Sequence, residues 1–178
     1  MRTLLLLACL FSSLNAATQS NTKELGIRFT SLDRYDLLYK KEVKQDVYRR
    51  LGLAFLNLSY VTREGFDGGS ANIGGSIGRE RRRQVSERVT FAHGLQVSAN
   101  VGIAGAGDNT QVQVAPGLGY LLGFQYNVSE QFYVGVEVIP DASLQLTFGE
   151  VTTAGVRAGL STSGVGLTAV YRFLPLGR

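Results

Sequence analysis

Gln111-Val112-Gln113-Val114-Ala115-Pro116-Gly117-Leu118-Gly119-Tyr120-Leu121-Leu122-Gly123-Phe124-Gln125-Tyr126-Asn127-Val128 separates into two unlike registers when read in steps of two. Val112, Val114, Pro116, Leu118, Tyr120, Leu122, Phe124, Tyr126 and Val128 form an unbroken apolar register. The other holds Gln111, Gln113, Ala115, Gly117, Gly119, Leu121, Gly123, Gln125 and Asn127, most of them small or polar. A β-strand sends alternate side chains to opposite faces, so the stretch reads as one strand with a greasy face and a small, polar face. Ordinary strands run about 5–6 residues, and this pattern lasts far longer. A narrow closed barrel, apolar outside and polar inside, fits it, and the surroundings of such a barrel would be lipid.

Composition agrees. A chain of 178 residues supports one domain. Its 22 glycines exceed the roughly 7% of average usage, while Pro, Met and Trp are scarce. Mean hydropathy is +0.06, and no internal run approaches the about 20 apolar residues of a membrane helix. Membrane strands average apolar and polar positions to nearly nothing, so a barrel remains compatible. Residues 1–16 read as a secretory signal: Arg2, then the apolar run Leu4 to Leu14, then Asn15-Ala16-Ala17 as a small-residue cleavage site. The apolar run is too short for an anchor helix. Cleavage after Ala16 removes Cys9, the only cysteine, so disulfides and thiolate metal sites are excluded from the mature chain. Losing Arg2 takes the formal charge from +4 to +3, too mild to imply nucleic acid.

Three short polar turns recur: Val43-Lys44-Gln45-Asp46-Val47-Tyr48, Val85-Ser86-Glu87-Arg88-Val89-Thr90 and Val128-Ser129-Glu130-Gln131-Phe132-Tyr133. Their starts at 43, 85 and 128 give near-equal spacing, as a meander of long hairpins would. Eight strands are expected near 24–32, 35–43, 47–60, 70–84, 88–103, 111–127, 131–148 and 161–173, with a register change near Phe55-Leu56 that suits a bulge. Longer connections are expected at 62–69, 104–110 and 149–160. Short turns face the periplasm in single-chain bacterial barrels, and the three found here put both chain ends on that side. Strand five sets Val89, Phe91, Leu95, Val97, Ala99, Val101 and Ile103 against Arg88, Thr90, Ala92, Gly94, Gln96, Ser98, Asn100 and Gly102. Strand seven puts Phe132, Val134, Val136 and Val138 outside. Strand eight does the same with Val165, Leu167, Ala169, Tyr171 and Phe173.

The signal sequence, the strand-turn rhythm and the closing aromatic strand Val170-Tyr171-Arg172-Phe173 resemble the small outer-membrane β-barrel proteins of Gram-negative bacteria, over nearly all of the mature chain. The resemblance implies an all-β fold, an eight-stranded antiparallel up-and-down transmembrane β-barrel spanning 17–178. It also implies recognition of the last strand by the barrel-assembly machinery. Leu174 to Arg178 follow Phe173 here, which departs from that pattern.

An eight-stranded barrel is just wide enough inside for its own side chains. Alternation points Arg28, Lys40, Glu42, Arg50, Glu80, Arg82, Arg88, Glu137 and Arg172 inward. Charges shielded from water need partners, for instance Glu80 with Arg88 across the second turn. Arg79 and Arg81, in the run Arg79-Glu80-Arg81-Arg82-Arg83, point outward to meet lipid headgroups. His93, the only histidine, lies on the outer register, where an aromatic neighbour is expected to pack on it. Neither Ser86 nor Ser98 has the alternate-residue spacing that would place a hydroxyl beside it on one strand face. Gly102-Ile103-Ala104-Gly105-Ala106-Gly107 looks like a phosphate loop but leads into a strand rather than a helix, so it reads as a surface loop. The sequons at Asn57 and Asn127 fall in or beside strands.

The expected protein is a sealed, non-enzymatic outer-membrane barrel with a structural or surface-interaction role. No catalytic residue, cofactor or metal site is expected. Expected partners are outer-membrane lipids, the barrel-assembly machinery during insertion, and a surface or envelope protein at the outer loops. Nucleic acid is not among them, and the chain is expected to act as a monomer. Two alternatives invoke other chemistry. A lipid-modifying barrel enzyme needs His93 beside a hydroxyl and an acid. A soluble secreted barrel carrying an apolar ligand needs the two faces inverted.

Overall fold

The computed structural model describes residues 22–31, 34–63, 66–106, 109–160 and 164–173, and its strands form one antiparallel sheet that closes on itself. In chain order these are β1 (Lys23–Ser31), β2 (Arg34–Lys44), β3 (Val47–Arg63), β4 (Phe66–Gln84), β5 (Val89–Ala106), β6 (Asn109–Asn127), β7 (Phe132–Val138), β8 (Asp141–Phe148), β9 (Thr153–Gly159) and β10 (Val165–Phe173). The strands β1 to β7 pair as a meander, and β10 joins β7 to β1. β7 and β8 share one place in the wall, because both pair with β6 in a single register, Leu122↔Val138 and then Gly119↔Asp141. They part at Ile139-Pro140, where proline has no N–H to give the ladder. β9 and β10 share the next place, one paired with β8 and the other with β7. Ten strands therefore fill eight positions, and the fold is an eight-stranded barrel.

The hydrogen-bonded rows climb around it. From Leu25, one path runs through Tyr39, Leu51, Ile77, Val97 and Leu118 to Ala142. The opposite path runs through Tyr171 to Phe132. Those ends lie ten residues apart on one wall position, a stagger that closure demands, with strands tilted at about 35–45°. Side chains alternate as expected: on β1, β7 and β10 buried positions take turns with exposed ones. The expected register change is present, between Ala54 and Asn57 in the β3–β4 pairing.

Wall height is uneven. β1, β2 and β10 have 9, 11 and 9 residues, the length that crosses a bilayer. β3 to β6 have 17, 19, 18 and 19. At 3.4 Å per residue and about 40° of tilt, 18 residues rise roughly 45 Å, against an apolar band of about 25 Å. The surplus of β3–β6, with β8 and β9, stands as a raised sheet over one side. Here the structure corrects the expected loops. Most of 62–69 and 104–110 is strand, including Gly102 to Ala106, and 149–160 contains β9. Backbone hydrogen bonds to neighbouring strands hold these glycine-rich segments extended. The described last strand runs Val165–Phe173, and 161–163 lie outside the described residues. The signal segment 1–16 lies outside the described residues.

The start of β1 and the end of β10, where Lys23 lies opposite Phe173, share one rim with the short turns. Close by, Gly26 is packed so tightly that an added Cβ would sit 2.6 Å from both the Ala169 carbonyl and Val170 Cγ2. Neither the backbone oxygen nor a buried valine yields readily. Gly26→Ala is expected to cost about 1–3 kcal/mol, as overpacking does. Gly155→Ala, which meets nothing within 4 Å, serves as the control. Urea unfolding in lipid vesicles compares the two, and equal stability would contradict this packing.

Candidate functional site: a charged plug beneath a polar vestibule

Seven strands send polar side chains into the lumen on the side of the short turns. Three carboxylates (Glu24 on β1, Glu80 on β4, Glu137 on β7) and three cations (Lys40 on β2, Arg50 on β3, Arg82 on β4) form its centre. Arg50 grips Glu137 with two parallel bonds, Nη1 to Oε1 at 2.7 Å and Nη2 to Oε2 at 2.5 Å. Lys40 Nζ lies 2.8 Å from Glu80 and 3.5 Å from Glu137. Arg82 joins Glu80 through Nε at 2.7 Å and clasps Glu24 with both Nη atoms at 2.7 Å. Its guanidinium also lies over the Tyr48 ring at 3.7 Å. Tyr133 donates to Glu24 at 2.8 Å, Gln125 donates to Glu80 at 3.0 Å, and Arg172 reaches Glu24 at 3.1 Å. Arg28 bridges Asp36 at 3.3 Å and Glu137 at 3.5 Å. Bidentate geometry and shared acceptors are what make such buried charge tolerable. Leu38, Leu121 and Val170 fill the space between.

Eight of the nine expected inward charges face the lumen. Arg88 does not: it lies in the second turn, exposed, and donates to the outer Tyr126 hydroxyl at 3.3 Å. The Glu80–Arg88 pair is therefore absent, and Glu80 takes Lys40 and Arg82 instead. Arg88 misses the lumen because the chain reverses through Ser86, whose carbonyl accepts from Val89 N. Glu24 is the member the sequence reading omitted, although it shares the parity of Arg28 on the same strand. Arg79 and Arg81 are exposed on the outer face, as expected. His93 stacks on Phe91 with ring centroids 5.6 Å apart and pairs through Nδ1 with the Tyr120 hydroxyl at 2.9 Å. Among the described residues, no group of three or more His, Cys, Asp or Glu could hold a metal.

Above the plug the lumen opens into a cavity of about 660 Å³ with Arg28, Arg50 and Leu38 at its floor. Its walls climb β4, β5, β6 and β8, carrying amide and hydroxyl side chains such as Asn72, Ser98, Asn100 and Gln113. The large apolar register faces outward around the lower wall, with Leu122, Phe124, Val136, Leu167 and Phe173 all exposed. The faces are thus not inverted.

A closed meander, apolar outside and plugged inside by paired charges, defines the class: an eight-stranded β-barrel of the outer-membrane type. The fold is similar to that of a major outer membrane protein from Thermus thermophilus, with a TM-score of 0.52 and 12% identity over 86% of this chain and 100% of that one. Neisserial surface protein A gives a TM-score of 0.45 at 18% identity, covering 85% of this chain and 92% of that one. The attachment invasion locus protein of Yersinia pestis gives 0.42 at 16%, covering 85% and 94%. No family model and no curated protein matches the sequence.

Proposed function

We propose that this chain is an integral outer-membrane protein, exported through the leader at 1–16, with a sealed lumen and no catalytic role. Its raised sheet meets a surface or envelope partner, and the rim of short turns faces the periplasm. The carrying observation is the plug, in which three carboxylates and three cations lock across the lumen from opposite walls. An ion crossing there must displace paired, desolvated charges. Large apolar side chains stand exposed on neighbouring strands, among them Leu122, Phe124, Val136 and Leu167, which supports lipid as the outer solvent. His93 touches Phe91 and Tyr120 on the outer face, an aromatic setting that supports packing over catalysis. Reconstituted protein in planar bilayers is expected to give no steady conductance. Reproducible unitary current steps from the unaltered chain would overturn the sealed reading. Cell fractionation tests the location separately, the expected result being an outer-membrane band whose gel mobility shifts on boiling.

A further inference from the structure

The vestibule above the plug has its own chemistry, and it goes beyond a sealed barrel. Its lining includes the amides of Asn72, Gln96, Asn100, Gln113 and Gln145 and the hydroxyl of Ser98. They come from β4, β5, β6 and β8, so the polar groups converge from one broad arc of wall. Each amide offers a donor pair and an acceptor on one group. The Gln96 amide oxygen is buried and has no hydrogen-bond partner among the described residues.

Glycines keep these amides where they are. Gln96 lies between Gly78 on β4 and Gly119 on β6, and Asn100 lies between Gly74 and Ala115. A Cβ at Gly78 would come within 2.8 Å of Gln96 Cβ, and one at Gly74 would collide with the Asn100 amide oxygen. The amides spread over their glycine neighbours instead of filling the lumen, and the cavity stays open beside them.

The lining selects a ligand class by elimination. An apolar occupant would strip water from amides and hydroxyls without replacing their bonds. The formal charges in the lining balance, two arginines (Arg28, Arg50) against two aspartates (Asp36, Asp141). Both arginines are also engaged by carboxylates. An anionic ligand therefore finds no free arginine in the lining, and the five amides outnumber its four charged groups. Groups that both donate and accept complement other groups that do the same, and the commonest neutral molecules of that kind are polyhydroxylated. We infer that the vestibule is a binding site for a neutral saccharide, held by the amides of β4, β5, β6 and β8 above the plug.

The test uses the full chain folded in lauryldimethylamine oxide micelles, since maltoside detergents would themselves present sugar. Isothermal titration with lactose, maltotriose and raffinose is compared with glucuronate and decanoate. At least one neutral saccharide is expected to bind with a Kd under about 1 mM. Gln96→Leu is expected to weaken it about tenfold, the effect of losing one well-placed hydrogen bond. Asn72→Leu, nearer the open end, supplies a second variant, and the heat-shifted gel band reports that both still fold. Binding by none of the three neutral sugars overturns the inference. So does binding of only glucuronate or decanoate, or neutral-sugar binding that neither variant weakens. Conductance is not the readout, so the outcome stands apart from that of the sealed barrel.

Discussion

Glu137→Ala is expected to lower the unfolding free energy by about 3–5 kcal/mol, the range for removing one partner of a buried ion pair. Glu137 is 2% exposed and accepts from Arg50 twice, with Lys40 and Arg28 both 3.5 Å away. Without it, Arg50 and Lys40 keep Glu80 as their remaining carboxylate neighbour. The excess positive charge is left among side chains that are themselves buried, Lys40 fully so. Adding Arg50→Met removes the stranded cation together with its partner and is expected to recover part of the loss. Urea titration of protein folded into phospholipid vesicles, read by the heat-shifted band, measures both. A loss under about 1 kcal/mol, the value of an exposed pair, would mean that water reaches the plug.

Arginine placed on the outer face of β6 is expected to report height. Leu122 is paired with Val138 and His93 and lies in the belt that β1, β2 and β10 share. Val112, ten residues along, is paired with Ile103 and Phe148 in the raised sheet, about 25 Å higher. Leu122→Arg is expected to cost about 2–4 kcal/mol and Val112→Arg about 0–1, following the depth dependence of a basic side chain against lipid. The same vesicle titration separates them. Equal costs would mean that the bilayer also covers the raised sheet, and the short strands would then not set the membrane thickness.

Much of this was legible in the chain. Which way a strand side chain points is local, so period-two alternation placed the apolar belt and eight inward charges correctly. The turns at 44–47, 84–89 and 127–132 were legible because each breaks that alternation with polar residues. Pairing is not local, and the misreadings fall there. Asp67-Gly68-Gly69-Ser70 has loop composition, yet β3 and β5 on either side hold it extended. The break at Ile139-Pro140 was hidden inside a continuous pattern, since β7 and β8 keep one register against β6. The vestibule had no signal of its own. It exists because glycines on one strand face amides on the next, which no single strand reveals.

The pairing of β1 with β10 carries a consequence for how the barrel is made. Every other junction up to β7 joins successive strands, so each can zip from its own turn with little entropy lost to loop closure. The β1–β10 seam alone unites Lys23 with Phe173, at opposite ends of the described chain, and extends only to Phe29↔Leu167. It is a short-stitched seam and the most distant contact, and topology makes such contacts the slowest to form. Glu24 sits on that seam and is held at once by Arg172, Tyr133 and Arg82 from β10, β7 and β4. The carboxylate thus works as a clasp, fastening the two ends of an open ribbon at the moment it becomes a cylinder.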